Sequence, residues 1–248
     1  MEVINIDKDS ELVLDVQTND LQININKCRA IITDISNTNK NIVVNDGELD
    51  YCYVKKNTSD DNVNVVVNHG SVNMKVIDIL ETSSSNEYSI GLESEDSDVD
   101  ISIASVSRAN SKKDYTINTT NSKMHTKTKI DCFGIVEDTS RIKYDITSAI
   151  TKGAKKSVVD QSSKILLFDK ESIGINNPIL EIDENDVKAN HGSSIGMIDE
   201  ETLFYLTSRG IKEEDARRLV SFGKINYIIE EIKDKKIKEE LLNLMMEV

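Results

Sequence analysis

Large and chemically special residues are scarce in this chain of 248 residues. It has no tryptophan, one proline, three cysteines and only 4 % aromatic residues. An interior without large rings has to be built from branched aliphatic side chains, and Ile and Val are abundant here. Because such residues pack well on a pleated surface, the composition favours stacked strands. An odd number of cysteines without a CxxC pair argues against a disulfide framework and a tetrahedral structural zinc site.

Long apolar runs and excess positive charge are absent as well. No run reaches the roughly 18 apolar residues typical of a membrane-spanning helix. The first residues, MEVINIDKDSELVLDV, include acidic side chains and lack the apolar segment of a secretory signal, so we expect a cytoplasmic protein. The formal net charge is −14. Since a polyanion repels phosphate groups, neither nucleic acid nor an anionic membrane is an expected partner.

Short runs of alternating apolar and polar residues extend from Met1 to about Ser163, a pattern typical of strands with one buried face. The runs are Leu21–Ile25, Val63–Val67, Val72–Val76, Val99–Ile103, Met124–Ile130 and Ile142–Ile146. Clusters of Asn, Asp, Gly and Ser separate them. This spacing predicts an all-β sandwich, a barrel or a β-solenoid, and the pattern alone leaves these alternatives open.

The pattern becomes helical near the C-terminus. Asp199 is a suitable N-cap for a first helix that ends at Gly210. A second helix is predicted over Glu213–Phe222, ending at Gly223, and apolar residues at helical spacing follow it. With the change of pattern after Pro178, the only proline, we expect two domains. The expected bounds are 1–182 for a β body and 183–248 for a helical domain.

Residues suited to catalysis or metal binding are few. The histidines are His69, His125 and His191, and the cysteines are Cys28, Cys52 and Cys132. We place His69 in a turn and His125 in a strand, with ordinary structural roles. His191 lies where the β pattern meets the helical one, so it can serve as a ligand, an interface donor or a turn residue. No HExxH, GxSxG, Walker A or dinucleotide-binding glycine pattern occurs, and the sequence does not decide whether any cysteine is functional.

The segment Asp183–Leu219, DENDVKANHGSSIGMIDEETLFYLTSRGIKEEDARRL, resembles the C-terminal signature of the SufB/SufD family of iron–sulfur cluster assembly proteins. The preceding segment, Lys152–Ile182, is similar to the last β coils of that family. The resemblance implies a mainly β fold, a right-handed parallel β-helix with a small C-terminal α-helical module. It thereby selects the solenoid from the alternatives above.

The resemblance also implies partners. In the family, two SufB/SufD-type subunits pair, and each binds a SufC-type ABC ATPase through its helical module. ATP-driven dimerisation of the ATPases rearranges the pair and exposes a nascent iron–sulfur site. The residues of this chain expected to dock the ATPase are Leu203, Phe204, Leu206, Arg209 and Leu219. A transient cluster at the subunit interface is implied, with none bound tightly by this chain alone.

The SufD side of the family fits best. SufB-type chains usually have His followed by Glu at the signature histidine, whereas this chain has His191 followed by Gly192. SufB-type chains also carry a sulfur-accepting cysteine upstream, where this chain has Glu171 and Ser172. By resemblance, His191 faces the partner's cluster site as a candidate ligand. We therefore expect a SufD-like, non-catalytic scaffold that pairs with a SufB-like subunit.

One alternative follows from a departure from the family. Many SufD proteins have a long N-terminal helical region, and this chain starts almost directly in β pattern, so a shortened form of the family is expected. In such a form, two copies of the chain could pair and build the cluster between them. That arrangement needs a thiol near the interface, and Cys132 is the candidate, as a weakly supported metal ligand.

Overall fold

The computed structural model describes residues 1–56, 60–230 and 232–246. Its body consists of fourteen strands in one sheet, and every strand pairing among these residues is parallel. The strands are β1 Glu2–Ile6, β2 Ser10–Leu14, β3 Asp20–Asn26, β4 Arg29–Asp34, β5 Asn39–Val54, β6 Asp61–Asp78, β7 Ser84–Leu92, β8 Asp98–Ser107, β9 Lys112–Asn121, β10 Lys127–Val136, β11 Arg141–Ile150, β12 Val158–Leu167, β13 Ile173–Ile182 and β14 Lys188–Met197.

Consecutive strands stack as coils, each with one strand on each of two faces. One face is made by β7, β9, β11 and β13, and the other by β8, β10, β12 and β14. The long strands β5 and β6 turn the corner and belong to both faces, because their first halves pair on one face and their second halves on the other. The expected parallel β-solenoid is therefore confirmed.

In-register stacking explains the alternating sequence. Partner residues on neighbouring parallel strands point to the same side, so aliphatic side chains form columns along the interior. One such column runs through Tyr51, Met74, Ile101 and Ile130, all of them buried. Each buried aliphatic side chain contributes about 1.5–3 kcal/mol relative to exposure. Large rings also contribute, contrary to the expectation from the low aromatic content, because five tyrosines are fully buried among these columns: Tyr51, Tyr53, Tyr88, Tyr115 and Tyr144.

A buried ionic cluster interrupts the aliphatic interior at one corner of the solenoid. Lys55 Nζ lies 2.9 Å from the Asp61 carboxylate, and Lys113 Nζ contacts the carboxylate of Asp78. Tyr115 donates its hydroxyl proton to Asp78 at 2.8 Å. All five side chains are buried. Because a buried charge is tolerated only when it is paired, these contacts bind successive coils together, and the sequence pattern gave no indication of them.

Three helices follow the last strand: α1 Glu200–Ser208, α2 Glu213–Glu230 and α3 Lys235–Met246. A second apolar cluster joins them to the outer side of the body, through residues such as Ile225 and Ile229 of α2 and Ile77 and Ile135 of the strands. The prediction that the second helix ends at Gly223 is wrong. A glycine costs about 1 kcal/mol inside a helix, and burial of the isoleucines beyond it outweighs that cost.

The helical module begins later than the expected boundary near residue 183. Strand β14 still pairs with β12, and α1 begins only at Glu200. The sequence did not indicate a strand at β14, because most of β14 is exposed. Its residues therefore lack the alternation of apolar and polar side chains that is typical of a half-buried strand. The predicted domain extends to residue 248, and residues 247–248 lie outside the described part. In that described part, no helix has the length and apolar character required to cross a membrane.

Candidate functional site

The solenoid finishes in two edge strands, β13 and β14, which together we call the open end. Within the described residues, β13 pairs only with β11, and β14 only with β12. The free edges carry large apolar side chains that are about half exposed, namely Ile173, Ile179, Ile195 and Met197. Unpaired strand edges with apolar side chains are prone to pair with another chain. The open end is therefore a candidate interface.

His191 lies on β14 at this open end and is exposed. The register places it opposite Gln161 of β12, which is only 1 % exposed and points into the interior. Since register partners point to the same side of a parallel sheet, His191 extends the inner column of the body to its open end. Its imidazole is thus exposed at the open end, the candidate interface.

The turn before β13 contains Ser172, at the position where the resemblance places a cysteine in SufB-type chains. Its hydroxyl donates to the backbone carbonyls of Val136, at 3.1 Å, and Asp138, at 3.0 Å. The side chain is buried. Ser172 therefore stabilises the turn, and no thiol is present at this position.

The cysteines do not reach the open end. Cys132 is fully buried at 0 % exposure, and burial together with the neighbouring Asp131 raises the pKa of its thiol. Cys28 is half-buried and donates to the carbonyl of Ile6 at 3.3 Å, and Cys52 is half-buried against the helices. The side chain of Cys132 faces the core, and its role as an interface thiol stays a prediction.

The other two histidines lie away from the open end. His69 was expected in a turn but lies within β6, at the corner where this strand passes from one face to the other; its φ is 65°, and its Nδ1 lies 3.3 Å from the Asp46 carboxylate. The prediction that His125 lies within a strand is wrong. Its φ is 60°, it precedes β10, and its Nδ1 lies 3.3 Å from the Asp96 carboxylate. Neither histidine joins His191.

The predicted docking helix α1 is capped as expected, because the Asp199 carboxylate accepts from the backbone N–H groups of Glu201 and Thr202. Although the helix is apolar on one side, it has no buried residue. Phe204 is 73 % exposed, while Leu203 and Leu206 are half-buried. An aromatic side chain exposed to this extent is typical of a surface that binds another protein.

Two further residues of the predicted docking surface lie beside this exposed aromatic side chain. The guanidinium of Arg209 lies 5.2 Å from the centre of the Tyr205 ring, and both side chains are exposed. Leu219 lines a groove of about 650 Å³ between α2 and β14, together with Ile195 and Met197. The structure thus connects the predicted docking surface with the open end.

One contact that the sequence did not reveal ties α2 to the solenoid. Arg217 donates through Nη1 to the Phe168 carbonyl at 3.0 Å and to the Asp169 carboxylate at 3.1 Å. Its Nε and Nη2 donate to Glu213 within the helix, which the i,i+4 spacing does indicate. The residues Phe168 and Asp169 lead from β12 toward β13. Only the strand register brings them beneath α2.

The open end and the exposed part of α1 are two candidate binding surfaces of this chain. In the described residues, no three His, Cys, Asp or Glu side chains are grouped so that they could hold a metal ion. A parallel solenoid with an open end, a single imidazole on its edge and an exposed helical surface defines a scaffold-type subunit.

Comparison with known proteins identifies the class of scaffold. The chain belongs to the SufB/SufD family. The family model described as "SUF system FeS cluster assembly, SufBD core domain" matches residues 7–224. The iron–sulfur cluster assembly protein SufD of Bacillus subtilis is 36 % identical over 112 residues, and SufD of Escherichia coli is 32 % identical over 108 residues. A SufBD family protein of Mycobacterium leprae is 47 % identical over 66 residues.

These similarities cover part of each protein. The alignment with Bacillus subtilis SufD includes 45 % of this chain and 26 % of the relative, and that with Escherichia coli SufD includes 44 % and 26 %. The Mycobacterium leprae alignment includes 26 % of this chain and 17 % of the relative. The aligned part of the chain thus spans about a quarter or less of the length of these relatives.

Proposed function

We propose that this chain is a SufD-like scaffold subunit of a cytoplasmic SUF-type complex that assembles iron–sulfur clusters. In this proposal it pairs with a SufB-like subunit and docks a SufC-like ABC ATPase, and it is not itself an enzyme. Family membership and the SufD relatives support the general role. The observation that carries the specific role is the position of His191 on the edge of the open end.

Pairing takes place through β13 and β14. Another subunit can satisfy their free backbone groups and cover the exposed side chains of Ile179 and Ile195, which favours association by hydrogen bonding and by removal of apolar surface from water. His191 then lies at the interface and offers one imidazole nitrogen to the cluster under assembly. The cluster is the cargo of the complex, and the partner supplies its other ligands.

The sulfur chemistry belongs to the partner subunit. A thiolate is the group that carries sulfur and holds iron in such clusters. Ser172 provides only a hydroxyl that is bonded to backbone carbonyls. Cys132 is buried, and its raised pKa keeps the thiol protonated. These positions support a non-catalytic role for this chain and weaken the alternative in which two copies build the cluster.

The ATPase docks on the exposed part of the helical module. Phe204, Tyr205 and Leu219 are exposed apolar side chains on α1 and α2, and Arg209 lies beside them. Burial of an exposed aromatic side chain in a partner's groove is a common source of binding energy. Arg217 connects α2 with the turn before β13, so a displacement of the helices by the ATPase can be passed to the open end.

Co-expression with a SufB-like and a SufC-like chain tests the proposal. We expect a three-component complex in which His191→Ala lowers the iron retained after cluster reconstitution while the subunit composition stays unchanged. His125→Ala, in a turn elsewhere, is the matched control and should retain iron. A stable dimer of this chain alone that holds iron, and loses it on Cys132→Ser, would instead establish the self-pairing alternative.

A further inference from the structure

The inner column that ends at His191 changes character just before it. From Tyr51 through Met74, Ile101 and Ile130, its buried members are apolar or aromatic. The next member is Gln161, which is 1 % exposed although its amide is strongly polar. Packing alone would favour another aliphatic residue at this position. Because buried polar groups are normally hydrogen-bonded, the amide of a glutamine here needs polar partners.

The orientation of the Gln161 amide is fixed by its hydrogen bonds. Its Nε2 donates to the Ser148 hydroxyl at 2.7 Å and to the Ile179 carbonyl at 3.1 Å. A carbonyl can only accept, so the nitrogen must lie on this side. The other amide atom, Oε1, is buried and has no hydrogen-bond partner. A buried acceptor without a donor costs about 1–3 kcal/mol.

Only one neighbour of Gln161 in this column can supply that donor. The neighbour on β10 is Ile130, which has no side-chain N–H. The neighbour on β14 is His191, one strand spacing away at about 4.8 Å. A neutral imidazole donates from one ring nitrogen and accepts at the other. It can therefore satisfy Oε1 while keeping its second nitrogen free for a metal.

We propose that Gln161 is a positioning residue for His191. Once a paired subunit covers the open end, the imidazole donates one ring N–H to Gln161 Oε1, which fixes the ring orientation and the tautomer. The other nitrogen then faces the cluster site. This inference rests on the proposed function, and it assigns the geometry of the ligand to a residue thirty positions earlier in the sequence. Metal-binding histidines commonly have such an acceptor behind them, and its loss lowers metal affinity about 10–100-fold.

Two substitutions of Gln161 distinguish the effect of its proposed hydrogen bond with His191 from the effect of its packing. Gln161→Met removes the acceptor and keeps a long, unbranched side chain, which the same column already accommodates at Met74. Gln161→Glu keeps an acceptor oxygen at nearly the same place. The chain has only three histidines, so labelling histidine with ¹⁵N gives few ring signals, and His125→Ala and His69→Ala assign two of them.

The first measurement reads the tautomer of His191 by ¹⁵N magnetic resonance in the complex with the SufB-like and SufC-like chains. We expect one tautomer in the wild-type complex and in Gln161→Glu, and a mixture in Gln161→Met. A wild-type complex with mixed tautomers would overturn the inference. So would a Gln161→Met complex that retains the single wild-type tautomer.

The second measurement is the iron affinity of the same complexes after reconstitution. We expect a loss of about 10–100-fold for Gln161→Met and rescue by Gln161→Glu. The two proposals fail in different ways. If His191→Ala binds iron as well as wild type, the cluster role of His191 is refuted, whereas an altered tautomer in Gln161→Met would still establish the hydrogen bond.

Discussion

Arg217 of α2 donates a hydrogen bond through Nη1 to the Asp169 carboxylate at 3.1 Å, across the boundary between the helical module and the solenoid. Asp169 also accepts from the backbone N–H of Asp138 at 2.8 Å. A single carboxylate therefore joins two coils and the helix. This places the connection at the start of the last coil, where the candidate interface begins.

Arg217→Ala should loosen α2 without unfolding the body. The substitution removes bonds to Phe168, Asp169 and Glu213, and hydrogen bonds to charged groups are worth about 1.5–3 kcal/mol each when buried. Because Arg217 is partly exposed, we expect a loss of about 1–2 kcal/mol in all and faster amide hydrogen exchange in α2 and β13. Arg218→Ala is the control, since Arg218 bonds only within its own helix among the contacts described. Equal exchange in both variants would contradict the connection.

Phe204→Asp should abolish binding of the SufC-like ATPase while leaving the fold intact. Phe204 is largely exposed, so a surface substitution there should change the free energy of unfolding by about 0.5 kcal/mol or less. Co-purification of the ATPase and thermal unfolding of the free chain measure the two effects. Val13→Asp, at a half-exposed site on β2, is the control and should still bind. Undiminished ATPase binding by the Phe204 variant would refute the docking assignment.

The buried ionic cluster should be sensitive to the loss of one partner. Lys113→Met leaves the Asp78 carboxylate without one of its cations in a dry environment, which costs about 3–5 kcal/mol. Lys129→Met breaks an exposed pair with Asp100, at 3.0 Å, and should cost less than about 1 kcal/mol. Urea unfolding of the two variants gives the comparison. If the two variants lost similar free energies of unfolding, the buried pair would contribute no more to stability than the exposed pair.

The carboxyl group of Glu137 should make the free energy of unfolding depend on pH, and the direction of that dependence follows from its pKa. Burial is the main cause that raises the pKa of its carboxyl, although Arg108 and Arg217 oppose the shift. The folded state therefore holds this proton more tightly than the unfolded chain. Its contribution to stability is full below the unfolded value of about 4.3 and is lost as the pH rises through the raised folded value.

Glu137→Gln removes the charge that burial disfavours. We expect it to raise the midpoint of thermal unfolding at pH 7, with the advantage shrinking toward zero below about pH 4. The exposed Glu171→Gln is the control and should show no comparable change. An advantage of Glu137→Gln that increases on acidification would be inconsistent with this account.

Local patterns predicted the parts of the molecule that are half-buried or capped. The Asp199 cap and the Glu213–Arg217 pair were visible because their partners lie within four residues. Alternation revealed strands such as β3 and β11, whose two faces have different surroundings. The parallel solenoid was selected from the alternatives by family resemblance, since stacked coils and sandwiched sheets produce similar alternation.

The features that escaped prediction depend on register or on exposure. Lys113 and Asp78 are 35 positions apart and meet only when the coils stack. The buried position of Gln161 likewise follows from strand pairing with Ile130. Strand β14 was missed because an edge strand exposed over most of its length loses the contrast between its faces. Proximity of His191 to the interface was expected from resemblance, but its neighbour Gln161 was not.

The unpaired amide oxygen of Gln161 is accompanied at the open end by the Oγ of Ser163 and the Oδ1 of Asn176, which are also buried and without partners. In a solenoid each coil is stabilised mainly by its neighbours, and the last coil has a neighbour on one side only. The ionic contacts of the middle coils do not extend to these residues. Local stability should therefore be low at the open end, where the proposed partner would bind. Assembly would then complete the folding of the subunit, and an unpaired subunit would be most open to proteolysis at this end.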